Sequence, residues 1–335
     1  MIGGEFEIDW TGKGVFVPDT DTYYYASGRT ALYQILRSLK PQRKALWMPD
    51  WLCHTMVDAV EKAGMEVRFY ELNARFKASV EALECSGFRD GEAMLMVNYF
   101  GLQDLTAAAK AVKEAFPGAK VIEDDVQAYW VFSEKENPYA DYRFTSVRKA
   151  FAVPDGGFVK TGFSMPVVTA HNTFSPLKMK AGVLKRHRGE DGVCDEDYLS
   201  LFTQGEALIN DNYDSVMTQD AKALFAGTDF ERARLQRQTN AKQLVDGLRS
   251  FGLAPMMAVT ADSVPLFVPV CLKNRDEVRR RLFRHEVFCP VHWPLEGVCL
   301  KNGADMEAHE LSLIVDQRYG QEEMDVILSI IKSNV

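Results

Sequence analysis

Apolar residues recur along this chain with two alternating periods. Ala31, Leu32, Ile35, Leu36 and Leu39 fall at helical spacing behind Ser27 and Gly28, which read as a helix start. Residues 45–48 form a short apolar run closed by Pro49, the pattern of a buried strand. A helical stretch over 52–62 stops at Gly64, and 67–72 and 94–97 read as strands. An Ala-rich helix over 105–116 ends at Pro117-Gly118, and Val121-Ile122 form a strand that stops at Glu123-Asp124-Asp125. Further strands are predicted over 142–147 and 157–161. Strand and helix alternating at this spacing predict an α/β fold: a mostly parallel central sheet with helices on both faces. Such sheets bind ligands beyond the carboxyl ends of their strands.

The pattern changes near residue 200. A helix-rich stretch runs to 251, followed by a strand (264–272), a helix (275–285), a strand (311–315) and a helix (322–332). This divides the chain into a large domain over 1–200 and a second part over 201–335, linking helices plus a smaller C-terminal α+β domain.

Composition narrows the function. The 335 residues are 47% hydrophobic and 26% charged, enough to bury a large core without covalent staples. A net charge of -8 argues against nucleic acid as a partner, because phosphate backbones need a basic face. None of the six cysteines forms a CxxC pair, so they read as reduced thiols of a cytoplasmic protein. The N-terminus carries Glu5, Glu7 and Asp9 rather than the apolar run of a signal peptide, and no segment reaches the ~20 apolar residues of a membrane span. No HExxH or similar spacing predicts a metal, and GxSxG, GxGxxG and P-loop motifs are missing.

Four sites follow predicted strands. Ser27-Gly28-Arg29-Thr30 opens a helix, where bare N–H groups favour an anion, although such starts are also plain caps. Trp51, after Pro49-Asp50, suits stacking on a planar ring or a place in the core. Glu123-Asp124-Asp125-Val126-Gln127 offers a carboxylate that could hold a ring nitrogen protonated, or an acidic cap. Ser146-Val147-Arg148-Lys149, followed by Asp155-Gly156-Gly157, presents a lysine suited to covalent work or to solvent. Each signal is weak alone. In this order they form the parts needed to hold pyridoxal 5′-phosphate (PLP): a phosphate cradle, a stacking aromatic, an acid and a lysine.

The same residues resemble a known family. Ser27-Gly28-Arg29-Thr30-Ala31-Leu32, Val97-Asn98-Tyr99-Phe100-Gly101, Val121-Ile122-Glu123-Asp124 with Gln127-Ala128, and Lys149 six residues before Asp155-Gly156-Gly157 resemble the motifs of the DegT/DnrJ/StrS-type sugar aminotransferases. Those are PLP enzymes of fold type I, with an aspartate-aminotransferase-like fold. The resemblance implies that Lys149 carries PLP covalently and moves protons, and that Asp124 pairs with the pyridine nitrogen. It implies that Gln127 bonds the ring's 3′-oxygen and that Trp51 stacks on the ring. Gly28, Arg29 and Ser146 would hold the phosphate, and Asn212 would reach the phosphate of a second subunit, so a homodimer follows. An amino-acid donor, glutamate first, would pass its amine to an oxo acceptor such as a nucleotide-linked sugar. Arg318 could grip a donor carboxylate, and Lys185-Arg186-His187-Arg188 could meet a diphosphate or be a solvated loop. The chain departs from the family in placing Ser146 three rather than five residues before the lysine, and in having Asp214 where the family has arginine. A different PLP reaction, or a non-catalytic binding role, is the alternative.

Overall fold

The computed structural model describes residues 1–39, 44–190, 192–294 and 301–334; Cys299 lies outside them. Eleven strands occur among these residues: β1 (Ile2–Gly3), β2 (Thr22–Tyr25), β3 (Ala45–Pro49), β4 (Glu66–Tyr70), β5 (Ala93–Val97), β6 (Lys120–Asp124), β7 (Tyr142–Ser146), β8 (Gly157–Lys160), β9 (Phe267–Cys271), β10 (Val287–Phe288) and β11 (Glu310–Ile314). Seven of them form one sheet in the order β2-β8-β7-β6-β5-β3-β4. The block from β4 to β7 is parallel throughout, and β8 runs antiparallel to both of its neighbours. The mostly parallel α/β sheet expected from the sequence is therefore present.

The sheet's inner strands carry apolar residues on both faces. Ala45–Pro49 and Ala93–Val97 are buried at every position, as expected when helices cover both sides. On one face Ile35, Leu46, Leu95 and Phe144 share a core with helix Gly28–Ser38; on the other, Met94, Val121 and Val112 share a second core with helix Thr106–Ala115.

The C-terminal part is built on β9 and β11, paired antiparallel, with helices Phe230–Ser250, Arg275–Arg284 and Gln321–Lys332 packed around them. Ile2 belongs to this core: β1 pairs in parallel with β10, so the chain's first residues lie against its last domain. No helix among the described residues is long and apolar enough to cross a membrane. Among them, no three His, Cys, Asp or Glu side chains gather as metal ligands.

Sheet register brings the first and fourth sequence sites together. Tyr25 of β2 and Ser146 of β7 both pair with Gly157 of β8. The turn after β2 therefore crosses the end of β8 to meet the turn after β7. A Cβ on Gly157 would stand 2.1 Å from the Ser27 carbonyl oxygen and 2.9 Å from the Gly28 nitrogen. The second glycine of Asp155-Gly156-Gly157 is thus required by a close backbone approach.

Candidate active site

Helix Gly28–Ser38 starts where β2 ends. Ser27 Oγ accepts the Thr30 N–H at 3.1 Å, and the Ser27 carbonyl accepts the Ala31 N–H at 2.9 Å. The N–H groups of Gly28 and Arg29 have no hydrogen-bond partner among the described residues. A Cβ on Gly28 would lie 3.0 Å from Val126 Cγ2 and 3.3 Å from Ser146 Cβ. Glycine therefore lets a helix N-terminus close on the ends of β6 and β7, leaving donors and the positive end of the helix dipole free for an anion. The Arg29 side chain turns aside to Glu206 (2.5 Å) and Asn210 (2.8 Å).

Asp124 ends β6 and is buried, with Oδ1 accepting the Val126 N–H at 2.8 Å. Burial raises its pKa to about 7; the Val126 bond and the charge of Lys149 oppose the rise, and Glu123 adds to it. A carboxylate so placed has no cation in direct contact among the described residues. Because its pKa is higher folded than unfolded, its contribution to stability is intact at low pH and is lost as pH rises from about 4 towards 7. Asp124→Asn is thus expected to stabilise the cofactor-free protein at pH 8 by roughly 2–4 kcal/mol and to flatten that slope. Denaturant midpoints at pH 5 and pH 8 check this.

Gln127 completes the floor. Its Oε1 accepts the Phe100 N–H at 3.0 Å, while its buried Nε2 finds no partner among the described residues. An unpaired buried donor costs about 1–3 kcal/mol, so a ligand oxygen at this point would recover it. Gly28, Ser146, Asp124, Gln127 and Lys149 line one cavity of about 230 Å³.

Lys149 ends the short turn Val147–Lys149 that follows β7. It lines this cavity and also an adjoining one of about 400 Å³, walled by Gly3 to Phe6, His292, Asp316 and Arg318. The neighbouring Arg148 bonds Glu206 at 3.2 Å, where Lys178 (2.9 Å) and Arg29 also converge. Burial alone would raise Glu206, but Arg148, Lys178 and Arg29 more than offset it and hold its carboxyl well below the usual range.

Several residues stand elsewhere than the sequence suggested. Trp51 is buried, its indole stacked on Tyr99 (4.6 Å, 13°) and its N–H donating to the His292 carbonyl at 3.0 Å. It does not line the cavity; Trp293, packed edge-on against it at 5.5 Å, does. Asn212 is spent within its own chain. Its amide donates to Thr173 Oγ1 (2.8 Å) and the Leu208 carbonyl (2.7 Å), and its oxygen accepts from the Thr173 N–H (2.9 Å) and Ser215 Oγ (3.1 Å). Ser146 lines the cavity but leans on the Gly156 carbonyl at 3.4 Å. Arg318 is saturated by Asp316 (2.8 and 2.9 Å), Glu7 and the carbonyls of Gly4 and Glu5, which leaves no fork for a donor carboxylate. In 185–188, Lys185 is buried on Glu7 (2.7 Å), Arg186 pairs with Asp9 and Arg188 with Asp195. Lys185 alone is buried; Arg186, His187 and Arg188 are exposed at the helix end and in the turn that follows it, as a solvated loop would be, and the ion pairs of these cations are with the acidic N-terminus and helix Asp195–Leu208.

Sequence reading passed over His292, Trp293, Glu206 and Glu310. The last had a readable signal: Glu310 and Ser312 are polar at alternate positions of an otherwise apolar strand, and so share one face.

No protein-family model and no curated protein matches the chain. Solved structures do. A protein from Streptococcus pneumoniae described as a sugar aminotransferase, in its PLP form, superposes with a TM-score of 0.68 at 14% identity, covering 99% of this chain and 92% of that one. A DegT/DnrJ/EryC1/StrS aminotransferase from Brucella abortus gives 0.59 at 15% identity, covering 93% and 85%. A serine palmitoyltransferase from S. paucimobilis gives 0.59 at 14% identity, covering 94% and 72%. The chain therefore has the fold shared by these proteins, the aspartate-aminotransferase-like fold of fold type I.

Proposed function

We propose that this chain is a PLP-dependent aminotransferase, with Lys149 as the covalent anchor of the cofactor. The observation that carries the reading is the convergence on one cavity of Lys149, the buried Asp124, the unpaired Gln127 Nε2 and the open helix start at Gly28. Each matches a different part of the cofactor. Free N–H groups suit a phosphate, an unpaired amide donor suits the ring's phenolic oxygen, and a buried carboxylate without a cation suits a protonated ring nitrogen. The likeness of fold to aminotransferases supports the same reading. Fold alone does not select the reaction, since a serine palmitoyltransferase shares it.

When bound, PLP supplies an electron sink for a substrate's Cα. The protein residues supply the rest. The Gly28 and Arg29 N–H groups bind the phosphate, with the Ser146 hydroxyl adjacent. Asp124 holds the ring nitrogen's proton and becomes a paired rather than an isolated charge. Gln127 Nε2 would donate to the ring oxygen. Trp293 and Val126 line the same cavity as apolar walls that limit water. Lys149, at the junction of the two cavities, would hold the cofactor covalently. Its Nζ would also be the base placed to take up and return a substrate's proton there.

In this reading the amine donor is an amino acid, glutamate in the first assay, and the acceptor an oxo compound such as a nucleotide-linked sugar. The second cavity, of about 400 Å³, offers room beside Lys149 for that acceptor. A homodimer follows from the family resemblance alone, and light scattering would test it. The function is tested by adding glutamate to the PLP-loaded protein and following the visible band. Bleaching of the band with formation of 2-oxoglutarate is expected. A stable band with no keto acid from glutamate or a panel of amino acids would overturn transamination.

A further inference from the structure

A buried polar chain reaches the same cavity from the small domain, and the reaction as described above does not use it. Ser312 Oγ donates to Glu310 Oε1 at 2.5 Å, and the His292 backbone N–H donates to Glu310 Oε2 at 2.6 Å. His292 Nδ1 lies 2.8 Å from Ser312 Oγ. Ser312 has one hydroxyl proton, and it is given to Glu310. Its oxygen can therefore only accept from the histidine, which places the proton on Nδ1. Nε2 is left with a lone pair and has no hydrogen-bond partner among the described residues. The ring is held edge-on to Phe100 at 5.4 Å and to Trp293 at 5.1 Å, and it lines the cavity that Lys149 also lines.

We propose that Glu310 and Ser312 lock His292 in its Nδ1–H tautomer, so that Nε2 is a fixed acceptor that positions the Lys149 amine at the junction of the two cavities. The contacts are independent of the cofactor; only their use in catalysis rests on the function proposed above. His292 is a positioning residue here and not a base. Burial, with the charge of Lys149 adding to it, drives its pKa down to about 3, so the ring stays neutral and does not compete with the amine for the proton. Burial also raises Glu310 to about 7, opposed by its bonds from the His292 N–H and Ser312 and by the charge of Arg275. At pH 8 it is a carboxylate and needs both of its donors. Polar residues placed this deeply and satisfied in sequence fix one arrangement of the groups they join.

The test uses the cofactor-free protein labelled with 15N-histidine at pH 8. Long-range proton–nitrogen spectra report which ring nitrogen carries the proton, with His292 assigned by its loss in His292→Gln. The expected result is Nδ1–H in the wild type, loss of that tautomer in Ser312→Ala and its return in Ser312→Thr. Lys149→Met should displace the Nε2 resonance, because the amine that the proposal sets against it is gone. An Nε2–H tautomer in the wild type, or an Nε2 resonance unmoved by Lys149→Met, would overturn the proposal. Neither of these two arms depends on Ser312→Ala folding. With PLP and glutamate, Ser312→Ala should slow the first half-reaction about tenfold while PLP affinity is unchanged. Failure of the PLP reading itself would appear as the lack of any visible band in every variant, with the nuclear resonance results intact.

Discussion

Lys149→Ala is expected to lose amino transfer by a factor of roughly 10⁴ or more, the largest effect of any single substitution in the chain. The size follows from two roles held by one amine. In the proposed function Lys149 would be both the covalent attachment point and the group that moves the proton, and it lines both cavities. No neighbour can take over. Arg148 is tied to Glu206, His292 is held neutral by burial, and Lys178 is paired with Glu5 and Glu206. PLP should still bind, more weakly, because the phosphate cradle, Asp124 and Gln127 are untouched. Single-turnover assays with glutamate, beside equilibrium PLP titration, separate the two losses. An alanine variant that still transfers an amino group at near wild-type rate would remove Lys149 from the chemistry.

The second large effect is expected at a residue that touches no ligand. Gly157→Ala would set a methyl group 2.1 Å from the Ser27 carbonyl oxygen and 2.9 Å from the Gly28 nitrogen. Both neighbours are backbone, so rotamer change cannot relieve the clash. The turn between β2 and helix Gly28–Ser38 must lift away from β8, and with it the two free N–H groups of the phosphate cradle. A stability loss of about 3 kcal/mol is expected, as for an overpacked core site, together with PLP affinity weaker by roughly tenfold or more. Thermal melts with and without PLP measure both. Gly28→Ala serves as the milder comparison, because its new methyl meets side-chain atoms of Val126 and Ser146 at 3.0 Å or more.

Much of this architecture could be read from the sequence, because the parallel sheet writes each strand as a local apolar run and each site as the residues just after it. That Asp124, Gln127, Ser146 and Lys149 line one cavity was legible for that reason: each lies within a few residues of a strand end. What the sequence could not show was orientation set by distant partners. Trp51 follows β3 as expected, but Tyr99, nearly fifty positions later, offers its ring a stacking face and the His292 carbonyl takes its N–H. The tryptophan that lines the cavity is Trp293, delivered from the segment between β10 and β11. Asn212 carries the right side chain, yet Thr173 and Ser215 use up its amide within one chain. Arg318 and the 185–188 cations were ambiguous partly for the same reason: besides the local partners Asp316 and Asp195, they meet Glu7 and Asp9 from the first residues of the chain. Short strands such as β1 and β10 carry too few residues for any period. They exist because the N-terminus packs into the C-terminal core through Ile2.

The central claim is that Lys149 is the lysine that carries PLP. The most direct measurement is to incubate the protein with PLP, reduce with borohydride and locate the added mass by peptide mapping. The account predicts one phosphopyridoxyl group per chain, on Lys149, and none there in Asp124→Ala at limiting PLP. Label spread over surface lysines, or absent from Lys149 at saturating PLP, would contradict it.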